Sequence, residues 1–371
     1  MAGDKRKDCK KVKLIAMDYK LKCLACGAEY DQSYSSQLCS KCGGILEVIY
    51  KGAKAIGKIK GAQSFWDFEP ALPKGSYKHF EVGMTKLIKA KNTQNLFFKL
   101  EVENPTRSFK DRGSVVEVAK AKEYGYKEIV CASTGNMAYS TAYYAKLYGI
   151  NATVFISRGA NKDKLIDIKS TKDADLHMIN GDFTKAQRDA EEYAKRNGSF
   201  LGGDYCYRKE GQGTMAYELF IQRPSLKNII VPVGNATLFS ALYKAYSMLK
   251  EAHIAEKIPR LIGVEASGCS PIFSAIKRSS SIKYTKPRTF ADAIAVGLPT
   301  YGEQAIEAAR ETGGTFVTVS DSEMARQQEL FYKEYGIIIE LAAAAGIAAY
   351  GKLQSSVKKE ETAIIISGGN V

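Results

Sequence analysis

The run Asn104-Pro105-Thr106-Arg107-Ser108-Phe109-Lys110-Asp111-Arg112-Gly113 leaves a short apolar segment, Leu96–Leu100, and enters a helical pattern. Three more loops share that setting. Ser133-Thr134-Gly135-Asn136 separates the β-rich run Glu128–Ala132 from a helical pattern over Met137–Tyr148. Pro232-Val233-Gly234-Asn235-Ala236-Thr237 joins Asn228–Val233 to Leu238–Glu251, and Ser367-Gly368-Gly369-Asn370 closes the run Thr362–Ser367. Further strand-like runs (Ala152–Ile156, Leu261–Glu265, Thr315–Val319) alternate with helical stretches at Thr184–Asn197, Ser322–Tyr335 and Leu341–Leu353. Such alternation predicts parallel sheets covered by helices, an α/β architecture. Ligands in these folds bind beyond the C-terminal ends of strands, which is where all four loops lie. Glycines ahead of a helix also expose backbone N–H groups to an anion. One lysine or one Gly-Asn turn is uninformative alone; the order and placement of the four are specific.

A second pattern precedes the first. Cys23-Leu24-Ala25-Cys26-Gly27 is answered by Cys39-Ser40-Lys41-Cys42-Gly43. In each C-x-x-C-G turn the glycine lets the backbone curl so that both sulfurs point at one spot. Two such turns supply four thiolates, a closed tetrahedral set that suits a structural Zn²⁺ and leaves no open catalytic position. Cys23, Cys26, Cys39 and Cys42 are therefore the candidate metal ligands. A unit this small gains much of its folding free energy from the metal.

Composition narrows the function classes. The 371 residues are 45% apolar and 25% charged, as in a folded soluble protein rather than a disordered one. No apolar run reaches the ~18 residues of a membrane span, and the lysine-dense start lacks a secretory apolar segment. The expected location is the cytoplasm, with no membrane partner. Three scattered histidines (His79, His177, His253) argue against multi-histidine catalysis. The formal charge of +14 concentrates in two places, Met1–Lys22 and Lys51–Lys60, which together carry nine of the fourteen excess charges. It reads as a basic tail and a linker. No aromatic-basic interleaving accompanies it, so nucleic acid is not the expected partner.

The four loops together resemble the fold-type-II pyridoxal-phosphate enzymes, and within them the threonine synthases. Asn104 to Gly113 is similar to that family's lysine motif and Ala132-Ser133-Thr134-Gly135-Asn136 to its substrate loop. Gly181-Asp182-Phe183, Tyr207-Arg208-x-Glu210-Gly211-Gln212-x-Thr214 and Gly263-Val264-Glu265-Ala266 agree as well. The resemblance implies a tryptophan synthase β-like fold of two parallel-sheet domains, with a small zinc ribbon in front. The expected division is a tail over 1–22, the ribbon over 23–50 and a linker over 51–61. A large cofactor-binding domain takes 62–110 and 209–371, and a small domain takes 111–208.

The same resemblance implies the site. Lys110 would hold pyridoxal 5′-phosphate covalently and then shuttle protons. Asn136 would bond the phenolic oxygen, Gly234, Asn235, Ala236 and Thr237 the phosphate, and Ser367 the pyridine nitrogen. Ser133, Thr134 and Thr85 would bind the substrate amino acid. Arg208, with Arg112 and Lys209 as further candidates, would meet the leaving phosphate of O-phosphohomoserine, which water converts to threonine; an interdomain ion pair is the competing role for Arg208. A homodimer is also implied. The chain departs from the threonine synthase pattern at Lys86, Arg107, Met137, Tyr205, Gly213 and Thr237, mostly at substrate-facing positions. A second reaction therefore stands beside the first: β-elimination or β-replacement on serine, threonine or phosphoserine.

Overall fold

The computed structural model describes residues 17–52, 56, 59–133, 135–157, 174–181, 183–353 and 355–370. The first sixteen residues of the basic tail, Thr134 and 158–173 lie outside that set. Three sheets organise the rest. An antiparallel ribbon has the order β2-β1-β3, from β1 (Tyr19–Cys23), β2 (Glu29–Asp31) and β3 (Leu46–Tyr50). The ribbon thus begins at Tyr19, inside the stretch expected to be tail, because Tyr19 and Leu21 alternate inward and are buried.

The larger sheet runs β12-β11-β10-β13-β5-β4. Its strands are β4 (Leu87–Lys89), β5 (Leu96–Leu100), β10 (Asn228–Pro232), β11 (Arg260–Ala266), β12 (Thr315–Val319) and β13 (Thr362–Ile366). All neighbours are parallel except β4, which pairs antiparallel with β5 at the edge. β10 and β13 are buried along their whole length, as expected of central parallel strands covered on both faces. Leu238, Phe239 and Leu242 cover one face against Ile229 and Val231. The other face meets Ala342–Ala345 of an alanine-rich helix, packed against Ile230 and Ile364. Ile56 and Ile59, two apolar residues in the stretch expected as a linker, are buried in the first of these cores. Burial of those two side chains ties their own positions to the body.

The smaller sheet has the order β8-β7-β6-β9, all parallel, from β6 (Glu128–Ala132), β7 (Asn151–Ser157), β8 (Ala174–Ile179) and β9 (Phe200–Leu201). Two helices cross between the sheets: α1 (Lys110–Glu123) and, later in the chain, a helix over Cys206–Gln222. They meet at glycines. A Cβ on Gly211 would stand 2.0 Å from the Arg112 carbonyl oxygen, and one on Gly113 would stand 2.4 Å from Arg208 Cγ. Only hydrogen at both positions allows this approach. The remaining helices include α2 (Asn136–Tyr148) and α3 (Phe183–Asn197), with the Cys206–Gln222 helix as α4, then α5 (Thr237–Glu251). Asp321–Tyr335 and Leu341–Lys352 form two more on the far side of the larger sheet.

Candidate active site

Both large sheets direct loops into one cleft. Its wall includes Phe109 and Lys110 at the start of α1, Ser133 and Asn136 at the start of α2, the Gly234–Thr237 turn ahead of α5, and Ser367 after β13. Lys110 Nζ lies 3.1 Å and 3.4 Å from the two carboxylate oxygens of Asp204 and 5.1 Å from the centre of the Phe109 ring. The loop carrying Lys110 is bonded to the C-terminal loop. Phe109 N donates to the Ser367 carbonyl at 3.0 Å, and Gly369 N to the Arg107 carbonyl at 2.9 Å. Asn370 Nδ2 reaches both the Thr106 carbonyl at 2.8 Å and Asn136 Oδ1 at 3.1 Å. From the other side Asn136 Nδ2 donates to Glu340 Oε2 at 2.7 Å, so its amide is gripped by two partners.

The turn before α5 has the features of an anion cradle. Ala236 takes a left-handed backbone, with φ of 62°, which turns successive N–H groups to one side. A Cβ on Gly234 would stand 2.8 Å from the Ala293 carbonyl oxygen. Thr237 Oγ1 is buried without a hydrogen-bond partner at the first turn of a 15-residue helix. A buried hydroxyl without a partner carries a desolvation cost of roughly 1–3 kcal/mol; a phosphate oxygen offers the missing acceptor. Asn235 Nδ2 donates to Asp204 Oδ2 at 2.7 Å, which ties this turn to the lysine.

The arginines expected at the substrate lie elsewhere. Arg112 is fully buried and bonded to Glu101 at 2.6 and 2.8 Å and to Glu218 at 2.5 and 2.8 Å. Thr85 is spent in the same cluster, donating to Glu101 Oε1 at 2.7 Å. Arg208 pairs with Glu117 at 2.5 Å and also bonds Ser114, Thr141 and the Gly203 carbonyl. A guanidinium sealed among apolar helices needs a carboxylate, and each of these has found one away from the cleft. Ser133 does line the cleft, while its hydroxyl accepts from Gly135 N and Ala138 N. Thr134 falls outside the described residues.

Asp204, Glu340 and Asn370 are the residues that sequence reasoning missed. Asp204 follows the glycine pair Gly202-Gly203 and a strand of only two residues, so no apolar run advertises it. Glu340 was visible as the one acid interrupting the apolar stretch 336–350. Asn370 stood in a quoted loop without an assigned role.

In the ribbon, the four cysteine sulfurs all lie within 4.8 Å of one another. Gly27 and Gly43 have φ of 74° and 73°, the left-handed turns that the knuckles require. The set is all-sulfur and offers four donors, as for a structural tetrahedral ion.

The family described as "Pyridoxal-phosphate dependent enzyme" matches residues 79–368, and the chain belongs to it. It is a pyridoxal-phosphate-dependent lyase of the threonine synthase kind. It is 33% identical over 371 residues to the threonine synthase of Methanosarcina acetivorans, covering 95% of this chain and 92% of that one. To the threonine synthase of Methanocaldococcus jannaschii it is 30% identical, covering 94% and 91%. Among solved structures, maize serine racemase superposes with a TM-score of 0.66 at 26% identity, covering 74% of this chain and 83% of that one.

Proposed function

We propose that the protein converts O-phosphohomoserine and water to threonine and phosphate. The observation that carries this reading is the convergence of Lys110, Asn136, Ser367 and the Gly234–Thr237 turn on one cleft, in a chain similar over nearly its whole length to threonine synthases. Lys110 would hold the cofactor, the Gly234–Thr237 turn its phosphate, Asn136 its phenolic oxygen and Ser367 its ring nitrogen. Bound there, the cofactor supplies an electron sink for negative charge developing on the carbons of an amino acid. A serine hydroxyl, unlike a carboxylate, cannot keep the ring nitrogen protonated, which moderates that sink. The Lys110 amine moves protons at the substrate carbons, and the Ser133 loop binds the substrate carboxylate. Glu340 and Asn370 fix the plane of Asn136.

The test is direct. Purified protein loaded with pyridoxal phosphate should release phosphate and threonine in equal amounts from O-phosphohomoserine, and Lys110→Ala should release neither. A second reading, β-elimination on serine or threonine, draws support from the burial of Arg112 and Arg208 in ion pairs away from the cleft. Ammonia and a keto acid formed from serine, without phosphate release from O-phosphohomoserine, would replace the first reading with the second.

We also propose that Cys23, Cys26, Cys39 and Cys42 hold one structural Zn²⁺. Metal analysis should find one zinc per chain, lost in Cys39→Ser. Among the described residues the seven cysteines form no disulfide, as expected where thiols are kept reduced.

A further inference from the structure

We infer that Asp204 is the counter-ion of Lys110, the carboxylate that holds the lysine in its ammonium form while that form persists in the cleft. This rests on the reading of Lys110 as the cofactor lysine, and extends it.

The geometry is that of a docking position. Both Asp204 oxygens face Lys110 Nζ, at 3.1 and 3.4 Å, and the side chains are 6% and 18% exposed. Asp204 is itself held in place. Asn235 Nδ2 donates to it at 2.7 Å, and Asn235 Oδ1 accepts from Thr300 N at 3.3 Å and Oγ1 at 3.2 Å. Arg208 Nε grips the preceding Gly203 carbonyl at 2.8 Å. Burial would push the Asp204 carboxyl up, but the Lys110 and Arg208 charges and the Asn235 hydrogen bond keep it below the usual carboxylate range. It is therefore an anion in the resting cleft.

The other charged groups around this pair have separate engagements. Arg208 is paired with Glu117 beneath the turn. Asp111, next to Lys110 in sequence, turns away to Thr106 N at 2.7 Å and Ser140 Oγ at 2.6 Å. Burial pushes the Cys131 thiol up to about 12, so it stays neutral. Asp292 and Glu340 stand elsewhere on the cleft wall, Glu340 bonded to Asn136.

The free amine takes one proton from a substrate carbon and becomes an ammonium ion. It later returns that proton to the substrate, while Asp204 remains an anion throughout. A cation formed at 3.1 Å from a fixed carboxylate is stabilised before it is needed, which is a positioning effect as well as an electrostatic one.

The experiment uses apoenzyme mixed rapidly with pyridoxal phosphate, following the visible absorbance of the captured cofactor as a function of pH. Capture requires the neutral amine. Asp204→Asn keeps an acceptor for Asn235 but removes the charge, so the capture profile should move to lower pH, with capture about tenfold faster or more on its acid limb. Asp204→Glu should bring the profile back toward the native one. Should Asp204→Asn not fold, Asp204→Ser reads the same profile. An unchanged profile in a folded neutral variant overturns the inference. A shifted profile in a protein that makes no threonine from O-phosphohomoserine supports it while overturning the proposed reaction.

Discussion

Lys110 and Arg112 stand two residues apart on one helix, yet they occupy opposite environments. Lys110 opens into the cleft and shares its charge with a single carboxylate. Arg112 is sealed, with Glu101 and Glu218 around it and Lys99 bonded to the same Glu218 at 2.7 Å. The motif that looked like one chemical unit is thus divided between chemistry and architecture. The first cation is available because its surroundings are incomplete; the second is unavailable because every donor has an acceptor. Within this motif, closeness in sequence to Lys110 is no guide to a place in the cleft.

That contrast can be broken experimentally. Lys110→Ala should remove turnover by about 10³-fold or more, within the range of lost acid–base catalysis, while thermal unfolding stays within a few degrees of the parent. A large fall in stability would mean the lysine is structural too. Arg112→Leu should show the reverse pattern. Leaving Glu101 and Glu218 buried without their partner costs about 3–5 kcal/mol, so denaturant midpoints should drop sharply; a variant with native stability and selectively lost phosphate release would return Arg112 to the substrate.

Acid should act on the sealed region. Burial alone would raise the Glu218 carboxyl, but Arg112 and Lys99 hold it at about 2. A depressed carboxyl contributes stability that is complete above its ordinary value near 4.5 and is lost as pH falls toward 2. Unfolding free energy should therefore decline by a few kcal/mol across that window. Glu218→Gln, less stable at neutral pH, should show a shallower decline; an equal slope in both proteins would remove Glu218 from the account. The smallest effect is expected in the cleft itself. Thr237→Val removes a hydroxyl that has no protein partner, so stability should hold while cofactor affinity falls about 5–10-fold, the worth of one hydrogen bond. Tighter cofactor binding by the variant would contradict the cradle.

The comparison also explains what was legible in the sequence. β5, β6, β12 and the helices at Met137–Tyr148 and Leu238–Glu251 stood out because buried parallel strands are continuous apolar runs and their covering helices are periodic. The edge strand Ala174–Ile179 did not, since only one of its six residues is fully buried. Phe200–Leu201 is too short to have a pattern. In the site, Lys110, Asn136, Ser367 and the Gly234–Thr237 turn were readable because each leaves a strand end. Asp204 was not, because its partners Lys110 and Asn235 are distant in sequence and only the fold brings them together. Arg112 and Arg208 were misplaced for the matching reason: the glutamates that neutralise them come from other elements.

The glycine crossing of α1 and α4 has a further consequence. Lys110 begins one of these helices, and Asp204 lies just ahead of the other, 94 residues away in the chain. Where Gly113 and Gly211 meet, the backbones are as near as two hydrogen atoms permit. The gap between amine and carboxylate is therefore gauged by a contact outside the lining of the cleft. A single methyl group added there would act as a shim, and its first symptom would be a lysine whose proton is held at the wrong distance.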